Sequence, residues 1–534
     1  MNARTFLTIL ACFLIVLVWQ KTFVEPPSNQ SGILTQRQPQ PPHQQQNVVG
    51  KIITQTPQTE SKLSLNKIEA PAVETKIIPV KTGTVQFNNQ NRLVTAWELK
   101  GYRQGKNVDS PYVDISRVTQ HSIQGELAFD DNEFVYLNEI FGTFLQGSNT
   151  NHWVYEDEKI RIVREAVNTQ GNAFIDFNIR AEFKSVKPKY AFLSLTLHAP
   201  KEDPEAQDRQ ILYWTNKEIN RELIEKASHL SEISTPVKWI GISSRYFVLS
   251  LVSRGEPEPR GLVQPLGEKK TRISLVYPII GDSIIIPVRF FFGPKELNIL
   301  KEVEPTLDHT VDFGWFTVIA YPLLKLMKLF YSLIHNYGIA IILLTLVVNI
   351  LTYPLTYKSM KSMKEMAKIQ PQIQKVREKY KDDREAMNRE MLILMKSHGY
   401  NPMAGCLPIL VQMPVFIALY RVLYSAIELY QAPFMYWIQD LSARDPYYVT
   451  PIVLTAVMFI QQKLTPTTAT DPTQAKILQF MPVFFGVLML LLPSGLTIYM
   501  LTNAIASSIR QVILNKKLDI QHGTSVVVTP TRAR

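Results

Sequence analysis

The sequence predicts a multi-domain membrane protein: a polytopic α-helical membrane bundle of six transmembrane helices, five forming the core, plus a large external antiparallel β-sandwich domain. Three observations predict it. Apolar residues crowd into residues 315–515, in runs close to the length a bilayer core demands. Residues 76–312 instead show short alternating apolar runs between turn residues, the period of half-buried strands. The net charge of +11 is confined to the apolar half: residues 1–314 hold 35 Lys+Arg against 35 Asp+Glu, and residues 315–534 hold 22 against 11. In a soluble chain such a surplus points to nucleic acid. In loops between apolar spans it marks the cytoplasmic side, so no DNA partner is expected.

Taken in order, residues 1–24 read as an N-terminal transmembrane signal anchor. The run Thr5–Trp19 follows a single Arg4 and ends without a small-x-small cleavage site, which argues against a removed signal peptide. Residues 25–75 are a Pro/Gln-rich linker with too few apolar side chains to fold. Residues 76–312 form the β-sandwich, with strand signals such as Phe174–Ile179, Tyr190–Leu197 and Ser283–Phe292. Residues 313–337 predict an amphipathic helix lying in the membrane interface, because Lys325, Lys328 and His335 share one side of an otherwise apolar helix. The core follows at 338–515, with spans near 338–357, 405–430, 448–464, 475–492 and 495–514. Residues 358–404 form a polar insert with 11 Lys+Arg against 6 Asp+Glu, which places it in the cytoplasm. Counting spans from there puts the β-domain outside and both termini inside. Residues 516–534 are a basic cytoplasmic tail, and Arg510 is grouped with it.

No nucleotide loop, His-Glu-x-x-His or Gly-x-Ser-x-Gly motif occurs, and no metal or cofactor is expected, so the chain does not read as an enzyme. Cys12 and Cys406, far apart in apolar runs, make neither a disulfide framework nor a ligand set. The informative residues are polar ones inside the spans. Thr345, Asn349, Thr352 and Thr356 recur on one helical face, as do Tyr499, Thr502, Asn503 and Ser507 on the last span. Facing each other, the stripes would line a hydrated groove; the plain alternative is interhelical hydrogen bonding. The span 405–430 adds Gln412 and Arg421. Arg421, Tyr424, Ser425 and Glu428 share a face, so Arg421 either pairs with Glu428 or serves the groove.

The polar insert reads as two helices turning at Asp382-Asp383. Met360, Met363, Met366, Ile369, Ile373, Val376 and Tyr380 form one stripe, and Met387, Met391 and Leu394 a second. A coiled-coil seam accounts for both. A flexible thioether surface beside basic residues such as Lys375 and Arg377 also suits nascent apolar segments, anionic lipid or ribosomal RNA. Met363, Met366, Lys375, Arg377 and Met391 are therefore the candidate client and ribosome contacts.

Several segments together resemble one known family. They include Tyr353-Pro354-Leu355-Thr356, Asn401-Pro402, Gly405-Cys406-Leu407-Pro408 and Gln412-Met413-Pro414-Val415-Phe416. They continue with Gln431-Ala432-Pro433-Phe434, Asp445-Pro446-Tyr447-Tyr448, Thr465-Pro466-Thr467-Thr468, Phe480-Met481-Pro482 and Pro493-Ser494-Gly495-Leu496. The match is to the YidC membrane protein insertases, in their long Gram-negative form. It is specific over about 314–515, and architectural before that. The resemblance implies a multi-pass inner-membrane insertase and chaperone, working alone or beside the Sec translocon. It implies clients received from ribosomes and a groove open to cytoplasm and lipid. It also implies an external domain resembling a sugar-epimerase sandwich. A membrane transporter or an anchored periplasmic carbohydrate-binding protein are the alternative classes. The family carries an Arg in its first core span where this chain has Asn349, and Arg421 is the intramembrane Arg that could replace it. The implied groove residues are Thr345, Asn349, Thr352, Gln412, Arg421, Tyr499, Thr502 and Asn503.

Overall fold

The computed structural model describes residues 73–523 apart from 91–93, 106–108, 116–124, 147–149, 168–170, 199–207, 225–226, 228, 268–269, 382, 398–406 and 465–471. The expected anchor, nearly all of the linker, the last residues of the tail and Cys406 lie outside the described residues. The described residues divide into two compact units, one within residues 20–311 and the other within residues 312–534.

The first unit is antiparallel β-structure. Strands Thr75–Val80, Gly83–Asn88, Ala96–Arg103 and Tyr112–Asp114 form a four-stranded sheet, and thirteen further strands join a larger one. Alternation drives their burial. Along Ile175–Phe183 every second side chain turns inward, including Ile175, Phe177, Ile179 and Ala181. Strand Ser231–Ser243 carries the large sheet from one layer to the other. Its first half pairs with Arg260–Pro265 and its second half with Phe247–Ser253, and the register shifts between Ile233 and Pro236. The inner faces close on aromatic rings: Trp97 of the small sheet stacks on Phe290, centroids 5.9 Å apart. Helix α1, Leu297–Val303, and the turn after it cover Trp239 and Phe291.

In the second unit, α2 spans Thr317–Ile334 and α3 Tyr337–Lys379. The corner between them is chemically explicit. His335 takes the left-handed conformation, and its N–H donates to the Tyr331 carbonyl oxygen at 2.7 Å. Asn336 then accepts from the Ile339 N–H at 3.1 Å, capping α3. On α2, Ala320, Leu324 and Met327 bury one face. Lys325 stays exposed, while Lys328 pairs with Glu428 at 2.5 Å.

The first core span and the first helix of the polar insert, read separately from the sequence, are one helix: α3 runs unbroken for 43 residues, through Pro354 and Pro371, about 65 Å of helix. Each proline removes one backbone donor, which an otherwise strong helix tolerates. The chain returns through α4, Arg384–Ser397, started by Asp383 accepting from the N–H groups of Glu385 and Ala386.

Helices α5 (Leu407–Ser425), α6 (Val449–Leu464), α7 (Pro472–Met489) and α8 (Ser494–Gly523) complete the unit. Leu454, Met489 and Ala504 meet at the packing centre of α6, α7 and α8. Among the described residues, Gly314–Ile334 and Tyr337–Ser362 are long and apolar enough to cross a membrane, and Val449–Leu464 and Gln479–Met489 are shorter apolar helices.

The loop between α5 and α6 is held rigidly by two carboxylates. Asp440 accepts from Gln431 N–H, Ser442 N–H and the Ser442 hydroxyl. Asp445 accepts from Trp437 Nε1, Tyr447 N–H, Thr450 N–H and the Thr450 hydroxyl, which starts α6. Burial pushes the Asp445 carboxyl up, but the donors from Thr450, Tyr447 and Trp437 outweigh it and hold it below the usual carboxylate range. The loop also seats on the first turns of two helices. Asn336 Nδ2 donates to the Phe434 carbonyl oxygen at 2.8 Å, and Ser494 Oγ to that of Asp440 at 2.9 Å.

Candidate polar seam between helices

Helices α3 and α8 carry the two stripes, and a side-chain hydrogen bond joins the stripes. Asn349 Nδ2 donates to Asn503 Oδ1 at 3.1 Å and to the Thr345 carbonyl oxygen at 2.8 Å. Asn349 is 6% exposed, so its amide is satisfied by protein rather than solvent. A second bridge joins α5 to α8, where Gln412 Nε2 donates to the Tyr499 hydroxyl at 3.2 Å. The Tyr499 ring lies against Phe416, centroids 6.3 Å apart.

The threonines behave differently from their neighbours. Thr345 Oγ1 donates to Ile341, Thr352 Oγ1 to Val348, Thr356 Oγ1 to Thr352 and Thr502 Oγ1 to Ile498, each to the carbonyl oxygen four residues back. A hydroxyl satisfied by its own helix is quiet toward apolar surroundings. Thr345 is fully buried, and Thr352, Thr502 and Asn503 are half-buried. Of the expected groove residues, the structure thus joins Asn349 to Asn503 and Gln412 to Tyr499. Thr345, Thr352 and Thr502 flank these bridges.

Arg421 is not joined to them. Of the two readings of Arg421, the pair with Glu428 is not made, because α5 ends at Ser425 and Ala426 is extended at φ −69°, ψ 118°. The helical spacing that aligned the two residues therefore stops short of Glu428. The Glu428 carboxylate, 10% exposed, accepts from Lys328 of α2 instead. Arg421 is half-buried, and its side chain makes no hydrogen bond or ion pair to the described residues.

The cation that does reach Asn349 is Arg510, which sequence reasoning grouped with the tail. Its Nη1 donates to the Asn349 carbonyl oxygen at 3.3 Å and its Nη2 to Ser507 Oγ at 2.8 Å. The signal was present: Arg510 lies seven residues after Asn503 and three after Ser507, on the same helical face.

In the hairpin, Ile369 and Ile373 are buried against Met391 and Leu394. Met391 therefore lies in the seam between α3 and α4. Lys375 is exposed and Arg377 half-buried, while the side chains of Met363 and Met366 lie outside the described residues. Leu392 and Ile393, missed from sequence, are exposed apolar side chains of α4, at 51% and 52%.

Comparison with known proteins supplies the context of this seam. Residues 329–521 match the family model described as 60Kd inner membrane protein, and residues 185–326 match that of the YidC periplasmic domain. A membrane protein insertase YidC from Maridesulfovibrio salexigens is 34% identical over 551 residues, covering 97% of this chain and 99% of that protein. The relative of the same name from Geotalea daltonii is 44% identical over 307 residues, 57% of this chain and 58% of its own length. The matched region is thus little more than half of that relative. A crystal structure of an active YidC insertase aligns with TM-score 0.35 at 19% identity, over 82% of this chain and 91% of that one. A galactose mutarotase-like protein from Lactobacillus casei aligns with TM-score 0.29 at 4% identity, over 41% of this chain and 100% of that one. Both scores are too low to decide a fold. With a relative matched along almost its entire length and two family models in the expected order, the chain belongs to the YidC family of membrane protein insertases.

Proposed function

We propose that this protein integrates newly made inner-membrane proteins and helps them fold, and that polar parts of the client pass along the α3–α8 seam. The observation that carries the reading is the pair of amide bridges, Asn349–Asn503 and Gln412–Tyr499, which lie in largely apolar stretches of their helices. A buried amide in a membrane helix needs a partner. Client backbone and polar side chains supply alternative partners of the same chemistry, so the seam opens at modest cost. The threonines, satisfied within their own helices, leave the flanks passable to apolar segments.

In this reading the β-unit is periplasmic and both termini are cytoplasmic, as the Lys/Arg surplus of residues 358–404 favours. The five core spans are α3, α5, α6, α7 and α8, while α2 lies in the interface. The exposed Lys325 favours that placement, since a lone ammonium is costly in hydrocarbon. The basic hairpin faces the ribosome, and the Sec translocon is a partner for larger clients. Both of these partners rest on the family resemblance. No catalytic chemistry is assigned to the chain.

The test is reconstitution of the full chain in proteoliposomes, with protease protection of newly synthesised single-span clients. Insertion above protein-free vesicles is expected, falling severalfold when Asn349 and Asn503 are both replaced by Leu. Equal protection with and without the protein would overturn the reading.

A further inference from the structure

We propose that the loop at residues 431–448, between α5 and α6, is a headgroup anchor: its exposed tyrosines and Arg444 seat among the phosphates of the phospholipids that ring one end of the helical bundle. The level of the loop follows from its own hydrogen bonds. It is held to Asn336, the cap of α3, and to Ser494, the first residue of α8. It also follows the end of α5 and leads directly into α6. One helix therefore ends and three begin beside it, at the height where a span leaves hydrocarbon for the headgroup layer. In the topology proposed above this is the periplasmic leaflet, and the contact itself does not depend on insertion activity.

The loop turns one chemistry inward and another outward. Its two carboxylates, Asp440 and Asp445, are buried and occupied by donors of the loop and of the first turn of α6. Met435, Tyr436, Tyr447 and Tyr448 are exposed, and so is Arg444, which has no ion pair among the described residues. The outward surface thus offers amphipathic rings and one positive charge, and no negative charge. Rings with a polar tip beside a cation match a layer where phosphates overlie acyl chains. Backbone strain points the same way. Tyr436 and Tyr448 sit at φ 51° and 56°, in the left-handed region that glycine and asparagine enter more readily. The Tyr436 ring stacks beside Trp437, centroids 6.1 Å apart, yet the residue stays 78% exposed. Trp437 is itself fixed by its hydrogen bond to Asp445. A strained tyrosine on a rigid loop, with its ring outside the protein, serves a contact outside the protein.

The experiment uses the full chain in liposomes, with Cys12 and Cys406 replaced by serine and a fluorophore on Tyr436→Cys or, for comparison, on Lys381→Cys just past the far end of α3. A nitroxide on the phosphatidylcholine headgroup is expected to quench the label at 436 severalfold more than the label at 381, and aqueous iodide to show the opposite order. A label at 436 that iodide quenches as strongly as the one at 381 overturns the proposal. A label at 436 shielded from both quenchers assigns the surface to a protein contact and overturns it too. The charge is tested in nanodiscs, where exchanging phosphatidylcholine for phosphatidylglycerol should raise the melting temperature of the native chain. Arg444→Gln should lose about 2–4 °C of that rise, and Arg444→Lys should keep it. An equal rise in the native chain and Arg444→Gln removes the cation from the contact and overturns the phosphate assignment.

Discussion

Breaking the Lys328–Glu428 pair should destabilise the helical unit, whereas removing Arg421 should not. The two charged atoms stand 2.5 Å apart, with side chains 30% and 10% exposed. At an effective dielectric near 20, Coulomb attraction at that distance is roughly 6–7 kcal/mol before desolvation is subtracted. Much of this is offset by taking two ions out of water, so the net worth of the pair is far smaller. Removing one partner alone is more harmful, because it strands the other charge. The expected cost of Lys328→Met or Glu428→Gln is about 3 kcal/mol each. In a unit of this size that lowers the melting temperature by roughly 6–12 °C. The double variant should cost about 3 kcal/mol, no more than either single change, which is a coupling of about 3 kcal/mol. Arg421→Ala with Glu428→Ala should show no coupling, since their side chains do not meet. Thermal unfolding in nanodiscs for both double-mutant cycles decides the matter. A large Arg421–Glu428 coupling alongside a negligible Lys328–Glu428 coupling would refute this account of how α2 is tied to the loop after α5.

Three further outcomes are expected. Asn349→Leu or Asn503→Leu alone should each cost about 1–2 kcal/mol, by leaving one amide without its partner across the helices, while the double change recovers stability but not insertion. Asp445, with its folded carboxyl held below the usual range, contributes stability that is fully present above its unfolded value near 4 and is lost as pH falls through the folded value. Melting temperatures from pH 7 to 3 should therefore fall more steeply in the native protein than in Asp445→Asn, and parallel curves would contradict the assignment. Photocrosslinkers at Leu392 and Ile393 should capture nascent chains or ribosomal components, and one at Met391 should capture α3 of its own hairpin. The reverse pattern would return the thioether stripe to a client-facing role.

Much of the architecture was legible because it follows from periodicity and length. Strand Ile175–Phe183 announces itself by alternation, since a sheet with one buried face must repeat every two residues. Helices α6 and α8 are legible because hydrocarbon demands an apolar run of set length. The stripes through Asn349 and Asn503 were legible for a related reason, as residues three, four and seven apart share a face. Their side-chain bonding was not. Threonine hydroxyls turned to their own helices while the amides reached across, because a hydroxyl meets the carbonyl four residues back and an Asn side chain extends to the neighbouring helix.

By itself, then, the sequence determined the division into β-unit and helical unit, the polar faces of the helices and the family. Only the tertiary structure decided which charges meet. Glu428 left the face of Arg421 because α5 stops at Ser425, and it found Lys328 on a helix nearly one hundred residues earlier. Arg510 joined the seam because its long side chain turns back to a carbonyl on α3 that no local spacing reveals. Ion pairing depends on distances of a few ångströms between elements remote in sequence, while periodicity reports only the direction each side chain leaves its own helix.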